Sequence, residues 1–155
     1  MHIRVLAVGT RQPAWVNSAV KEYVQRLPRS WRFALKEIPA APRGNQGTST
    51  AANREGQSIL SQLGDGERLI ALDERGQQVT SVGLADWIDA WQSDGRDVCL
   101  CIGGADGLSA DCLQRAERHW SLSKLTLPHG LARVLLVEQL YRAWSLQTGH
   151  PYHRA

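Results

Sequence analysis

Four protic or cationic side chains crowd the end of the chain, in His150-Pro-Tyr-His-Arg154. Such a set can steer a phosphate, stack on a base and move a proton. Nearby Trp144 makes the segment read as a lid, although terminal residues are also where chains commonly fray. Two further stretches have the composition of ligand-binding loops. Gly103-Gly104-Ala105-Asp106-Gly107 lets a ligand approach the backbone closely, because glycine lacks a side chain and tolerates positive φ. It is neither G-x-G-x-x-G nor a phosphate loop with a following lysine, so it matches neither fingerprint and also suits a plain strand-to-helix turn. In Ser121-Leu-Ser-Lys-Leu-Thr-Leu-Pro-His129, small polar residues alternate with leucine. Backbone groups there could read an adenine edge while leucines pack on its faces; an ordinary strand stopped by Pro128 fits the same pattern.

The elements that must position these stretches alternate along the chain. Ile3–Val8 reads as a strand, followed by a Gly9-Thr10 turn, Pro13 and a helix carrying Val16, Ala19, Val20, Tyr23, Val24 and Leu27 on one face. Pro28 ends that helix. Phe33–Ile38 has the weak alternation of an edge strand closed by Pro39, and the polar stretch Pro42–Ala52 reads as a mobile loop. A helix over 53–63 precedes a strand over Leu69–Leu72, turn residues Asp73–Gln77 and a helix over 81–91. Val98–Ile102 is apolar at every position, as expected of a central strand covered on both faces. Ser109 caps a helix to about Arg118, a short strand covers Lys124–Leu127, and the last helix covers about Leu131–Thr148. That helix is apolar around most of its circumference, so it is either central in one chain or covered by a second subunit. Five strands interleaved with five helices predict an α/β fold with a mainly parallel sheet and helices on both faces. Ligands then bind beyond the strands' carboxyl ends, at the loops after Leu72, Ile102 and Leu127.

A length of 155 residues predicts one domain, and 43% hydrophobic with 21% charged residues fits a soluble globular chain. No run is long enough to span a bilayer and no cleavage site follows Met1, which points to the cytoplasm. Cys99, Cys101 and Cys112 are odd in number and lack metal-ligand spacing, so they read as small buried hydrophobes and no metal is expected. The net charge of +3 hides an asymmetry: residues 1–54 carry nine Lys/Arg against Glu22 and Glu37, whereas the remainder is net negative. Fifteen of the eighteen basic residues are arginine, which favours bidentate phosphate contacts and makes RNA the leading polyanionic partner.

Taken together, Leu6-Ala-Val-Gly9, Glu37-Ile-Pro39, Ile102-Gly-Gly-x-x-Gly-Leu108, Ser121-Leu-Ser-x-x-Thr-x-Pro-His129, Arg133-x-Leu-x-x-Glu-Gln-x-Tyr-Arg-Ala143 and Pro151-Tyr-His-Arg154 resemble the RlmH (YbeA) family over the whole chain. These are 23S ribosomal RNA pseudouridine N3-methyltransferases of the SPOUT superfamily. The resemblance implies one SPOUT domain over 1–155 with a trefoil knot in its C-terminal half, an exception to the rule against threaded chains. It also implies a homodimer whose interface helps build the active site, with S-adenosylmethionine bent into the knot. By motif position, the cofactor residues are Leu72, Asp73, Gly103, Gly104, Leu122, Ser123, Lys124, Leu125, Thr126 and Leu127.

The reaction so implied transfers a methyl from a sulfonium to N3 of pseudouridine, whose proton must be removed or whose anion must be stabilised. Candidate catalytic residues are His129, Tyr152, His153 and Arg154. Arg154 is assigned to negative charge on the base or to phosphate, His129 or His153 to the proton, and Tyr152 to positioning the base. The short tail is expected to complete the neighbouring subunit's pocket. Assembled ribosomal RNA is the expected partner, met through the cluster Arg4, Arg11, Arg26, Arg29, Arg32 and Arg43. Two other readings are a SPOUT methyltransferase acting on another RNA, such as tRNA, and a ribosome-binding protein without catalysis. The Tyr-His-Arg tail speaks against the first and the glycine loop against the second.

Overall fold

The computed structural model describes residues 1–44 and 48–154. Its elements are β1 (Ile3–Val8), α1 (Ala14–Val24), β2 (Ala34–Ile38), α2 (Thr48–Ser61), β3 (Arg68–Gln78), α3 (Ser81–Asp94), β4 (Val98–Ile102), α4 (Ala110–Arg115), β5 (Arg118–Ser121) and α5 (His129–Thr148). The strands form one sheet in the order β2-β1-β4-β3-β5, parallel throughout. Strand residues point alternately to its two faces and build two cores. Val5, Ala7, Ile70, Leu100 and Ile102 face one way and pack with Leu84 and Ile88 of α3 and Leu136 and Leu140 of α5. Leu6, Val8, Leu69, Ala71, Cys99 and Cys101 face the other way, with Ile59 of α2 and Cys112 of α4. β4 is buried at every residue between β1 and β3, and β2 is an edge, both as the sequence pattern predicts. Burial pushes the Cys99 thiol up to about 12 and raises those of Cys101 and Cys112, which keeps all three protonated and unreactive.

Four local expectations are corrected. Lys124–Leu127 is not a strand. The Ser121 hydroxyl donates to the Ser123 carbonyl at 2.9 Å and the Ser123 hydroxyl accepts from the Leu125 N–H at 2.9 Å, so side chains close a local turn in place of a ladder. The fifth strand lies earlier, with Ile70 opposite Arg118 and Leu72 opposite Trp120. The helix opened by Ser109 therefore stops at Arg115 rather than Arg118: Ala116 is extended, and Glu117 N–H already bonds to the Leu69 carbonyl at 2.9 Å. Asp73–Gln77 is no simple turn either, because β3 continues to Gln78 with a register shift between Leu72 and Gln77. Gly76 permits that shift, since a Cβ there would lie 2.6 Å from the backbone carbon of His119. The expected loop Pro42–Ala52 is shortened by α2, which starts at Thr48; its residues 45–47 lie outside the described set.

Candidate active site

The carboxyl ends of β3, β4 and β5 open on a cavity of about 830 Å³, a size suited to a small-molecule ligand. Leu72 and Asp73 line it at the end of β3's first half, Gly103 and Gly104 after β4, and Leu122, Ser123, Leu125, Thr126 and Leu127 after β5. Lys124 is exposed and does not line it. His129, the first residue of α5, closes the wall with Pro128 and Ala132. No side chain caps α5, so its first N–H groups and the positive end of its dipole begin at the cavity.

The glycine loop is built tightly. Gly107 N–H bonds to the Gly104 carbonyl at 3.0 Å with Gly107 at φ +79°. A Cβ on Gly103 would lie 2.6 Å from the backbone of Gly107. One on Gly104 would lie 2.8 Å from the Glu55 carboxylate. The pattern Gly-Gly-x-x-Gly is therefore a steric requirement of this turn, and the backbone it bares forms cavity wall. Sequence reasoning missed Glu55 altogether: it is a buried acid on α2, and only its neighbour Gly56, pressed against Ser109, hints at close packing there. Missed too was Arg133, 2% exposed. It donates to Glu37 at 2.6 Å and to the Gly9 carbonyl at 2.7 Å, tying α5 to the ends of β1 and β2. An arginine inside the apolar run Leu131–Val137 was the available signal.

The tail lies elsewhere. Pro151–Arg154 forms a 3-10 turn, and the Tyr152 hydroxyl reaches back to donate to Glu138 at 3.0 Å, with the Tyr23 hydroxyl at 3.2 Å. Its ring meets Tyr141 edge-on at 4.6 Å, and the Arg142 guanidinium sits 5.0 Å from its centre while bonding to the same Glu138. Burial, then the bonds to Tyr23 and Glu138, raises the Tyr152 hydroxyl well above the ordinary tyrosine value. His153 is half-buried with an unpaired Nδ1, and Arg154 is exposed. Glu138 lies nine positions along α5 from His129, about 14 Å at the helical rise. Within one chain the structure thus does not bring His129 together with Tyr152, His153 and Arg154.

Between the two places, α5 carries a stripe. It packs on both α1 and α3 of its own chain, which accounts for much of its apolar circumference. Leu131, Val134 and Leu135 nevertheless stay half-exposed, on the helical stripe that continues through Glu138 to Arg142. Of the six arginines expected to face RNA, Arg4 forks onto Glu67, Arg26 pairs with Glu22, and Arg43 pairs with Glu55 and Asp106. Arg11, Arg29 and Arg32 are exposed. No group among the described residues has the makings of a metal site, and no described helix is long and apolar enough to cross a membrane.

Comparison with known proteins places the chain. A family model described as "Predicted SPOUT methyltransferase" matches residues 1–153. Two proteins named "Ribosomal RNA large subunit methyltransferase H", from Chromohalobacter salexigens and Alkalilimnicola ehrlichii, are each 53% identical to it, covering 99% and 100% of this chain and all of their own length. One of the same name from a Marinomonas species is 45% identical over 99% of the chain and its own full length. Among solved structures, a probable methylase family protein from Haemophilus influenzae matches 97% of this chain and 69% of its own, with TM-score 0.58 and 13% identity, a likeness of fold.

Proposed function

Because the chain belongs to the SPOUT methyltransferase family, we propose that it is an S-adenosylmethionine-dependent methyltransferase acting on N3 of a pseudouridine in 23S ribosomal RNA, in the cytoplasm and on assembled ribosomes. The observation that carries this reading is the 830 Å³ cavity at the ends of β3, β4 and β5, in a chain similar over its full length to named large-subunit ribosomal RNA methyltransferases. The residues suit the cofactor. Leu72, Leu122, Leu125 and Leu127 offer apolar walls for adenine, and Gly103 and Gly104 line the cavity in a turn so tight that a Cβ on either would meet the Gly107 backbone or the Glu55 carboxylate. The open N-terminus of α5 suits a carboxylate. When bound, the cofactor supplies an electrophilic methyl group. The trefoil knot belongs to this reading, supported by a last helix that returns from the outer strand β5 to pack on α1 and α3.

The acceptor side follows from the tail. His129 stands at the cavity wall and can take the N3 proton, while the turn that carries Tyr152 and Arg154 folds back on α5 at Glu138, away from the same cavity. We assign the tail to the cavity of a partner subunit in a homodimer, with the half-exposed stripe Leu131, Val134 and Leu135 as part of the contact. There Arg154 stabilises charge on the deprotonated base, and His153 is the second candidate for the proton. Tyr152, whose hydroxyl is held firmly protonated in its present seat, acts as a hydrogen-bond donor that positions the base. The exposed Arg11, Arg29 and Arg32 are the free part of the basic cluster for ribosomal phosphate.

The test is methyl transfer from labelled S-adenosylmethionine to ribosomes lacking the modification, with pseudouridine-deficient ribosomes in parallel and nucleoside mass spectrometry of the product. Label recovered as N3-methylpseudouridine in the first sample alone is the expected result. Label in another nucleoside, or none with the cofactor bound, overturns the assignment of acceptor.

A further inference from the structure

The glycine loop is held from behind by residues far away in sequence. Arg43 donates through Nε to Asp106 at 2.5 Å, and Asp106 is part of the cavity wall. The same guanidinium donates to Glu55 at 3.4 Å and to the Ala41 carbonyl at 3.2 Å. Glu55 Oε2 also accepts the Ala41 N–H at 2.9 Å. The Glu55 side chain is 2% exposed, its Oε1 has no hydrogen-bond partner among the described residues, and that oxygen would lie 2.8 Å from a Cβ on Gly104. A buried carboxylate holds a cation paired with it strongly, because losing that partner would leave charge poorly compensated away from water. Arg43 thus bridges two carboxylates, with its shorter bond to Asp106 on the cavity wall and a longer one to the buried Glu55. The hydrogen bond to Asp106, then the nearby charges, raises the Arg43 guanidinium further above its ordinary value.

We propose that Arg43 and Glu55 are positioning residues for cofactor binding: together they fasten Asp106 and hold the Gly103–Gly107 backbone in the shape that forms the cavity wall. The inference rests on the reading of that cavity as the S-adenosylmethionine site. Neither residue touches the cavity, so their effect passes entirely through the loop. It also gives Arg43 a part in shaping the cavity, where the sequence placed it only in a cluster for RNA.

The experiment measures S-adenosylmethionine binding by calorimetry and steady-state methylation of ribosomes, using the full chain with Asp106→Ala, Arg43→Gln and the double substitution. Each single change is expected to weaken cofactor binding roughly tenfold, the loss of about one charge-assisted hydrogen bond. The double change should be no worse than the more damaging single one, because both break one connection. The KM for cofactor should rise while kcat at saturating cofactor and the KM for ribosomes stay within about twofold of the wild type. Arg43→Lys keeps the charge but loses the fork, so it should fall between wild type and Arg43→Gln. Cofactor affinity within twofold of wild type in Asp106→Ala, or additive losses in the double variant, overturns the proposal. Should Arg43→Gln fail to fold, Arg43→Lys and Glu55→Gln decide, since neither residue lines the cavity: weakened cofactor binding in both is expected, and wild-type affinity in both overturns the proposal. Failure of the wild type itself to bind S-adenosylmethionine would instead overturn the parent reading, and this inference with it.

Discussion

The two ends of α5 solve opposite problems. At His129 the helix begins at an open cavity walled by leucines and by a glycine loop too tight to take a Cβ at Gly103 without shifting. From Glu138 onward it meets a closed cluster in which Tyr23, Tyr141, Arg142 and Tyr152 satisfy one another and little is left open. One end is prepared for a ligand; the other stores side chains whose chemistry has nothing to act on where they rest. Polar groups that are fully satisfied in place add order, and a catalytic tail acts only where a substrate reaches it. The contrast teaches that the cavity and the tail lie at opposite ends of one helix, which is what the proposed sharing of sites between two chains must explain.

The largest effect should come from separating the two ends genetically. A chain lacking residues 151–155 and a chain with Gly103→Val should each be inactive alone, while equal mixing after refolding should restore roughly a quarter of wild-type activity, as random twofold pairing dictates. No recovery would place the tail's role within its own chain and erase the contrast. Next in size, Arg154→Ala should lower the single-turnover rate by about 10²–10³ with cofactor affinity unchanged, the usual loss when a stabiliser of developing charge is removed. Gly103→Ala should do the reverse, weakening cofactor binding by roughly tenfold or more, because its Cβ meets backbone and the loop must shift.

Smaller effects sharpen the comparison by stability. Arg4 and Glu67 form a fork remote from both ends. Burial raises the Glu67 carboxyl, but the Arg4 hydrogen bonds and the Gly64 N–H outweigh it and leave it below the usual carboxylate range. Its stabilisation is therefore complete above the unfolded value of about 4.3 and is lost as pH falls through the lower folded value. Glu67→Gln should cost about 2 kcal/mol at neutral pH and flatten that acid limb in urea titrations, with cofactor affinity unchanged. Least of all, Tyr23→Phe should cost less than about 1 kcal/mol, yet speed proteolysis of the tail by releasing one tie on Tyr152.

How much of this was legible in the sequence depended on whether the signal was local. The all-apolar Val98–Ile102 announced a central strand, and the glycine loop and the leucine-rich stretch before His129 announced the cavity that they line. Lys124–Leu127 misled because its alternation imitates a strand, while two serine hydroxyls divert the backbone into a turn. Arg43 and Glu55 were illegible for a different reason. Arg43's partner Asp106 lies more than sixty positions away, Glu55 is tied to it through Arg43, and nothing in either neighbourhood marks them as facing the cavity loop. The tail's residue types were legible as chemistry, but its resting place against Tyr23 and Glu138 was not, since it depends on how α1 and α5 pack.

The strand order has a consequence for how the molecule comes into being. β4 separates β1 from β3, so the hydrogen bonds on the inner sides of both strands wait for Val98–Ile102. During synthesis, nearly two thirds of the chain must emerge before the middle of the sheet can close, and α5, which covers one face, comes later still. Fragments ending before residue 102 should remain sticky and unfolded. Refolding of the whole chain should be slow for its size, as expected where distant pairings come first.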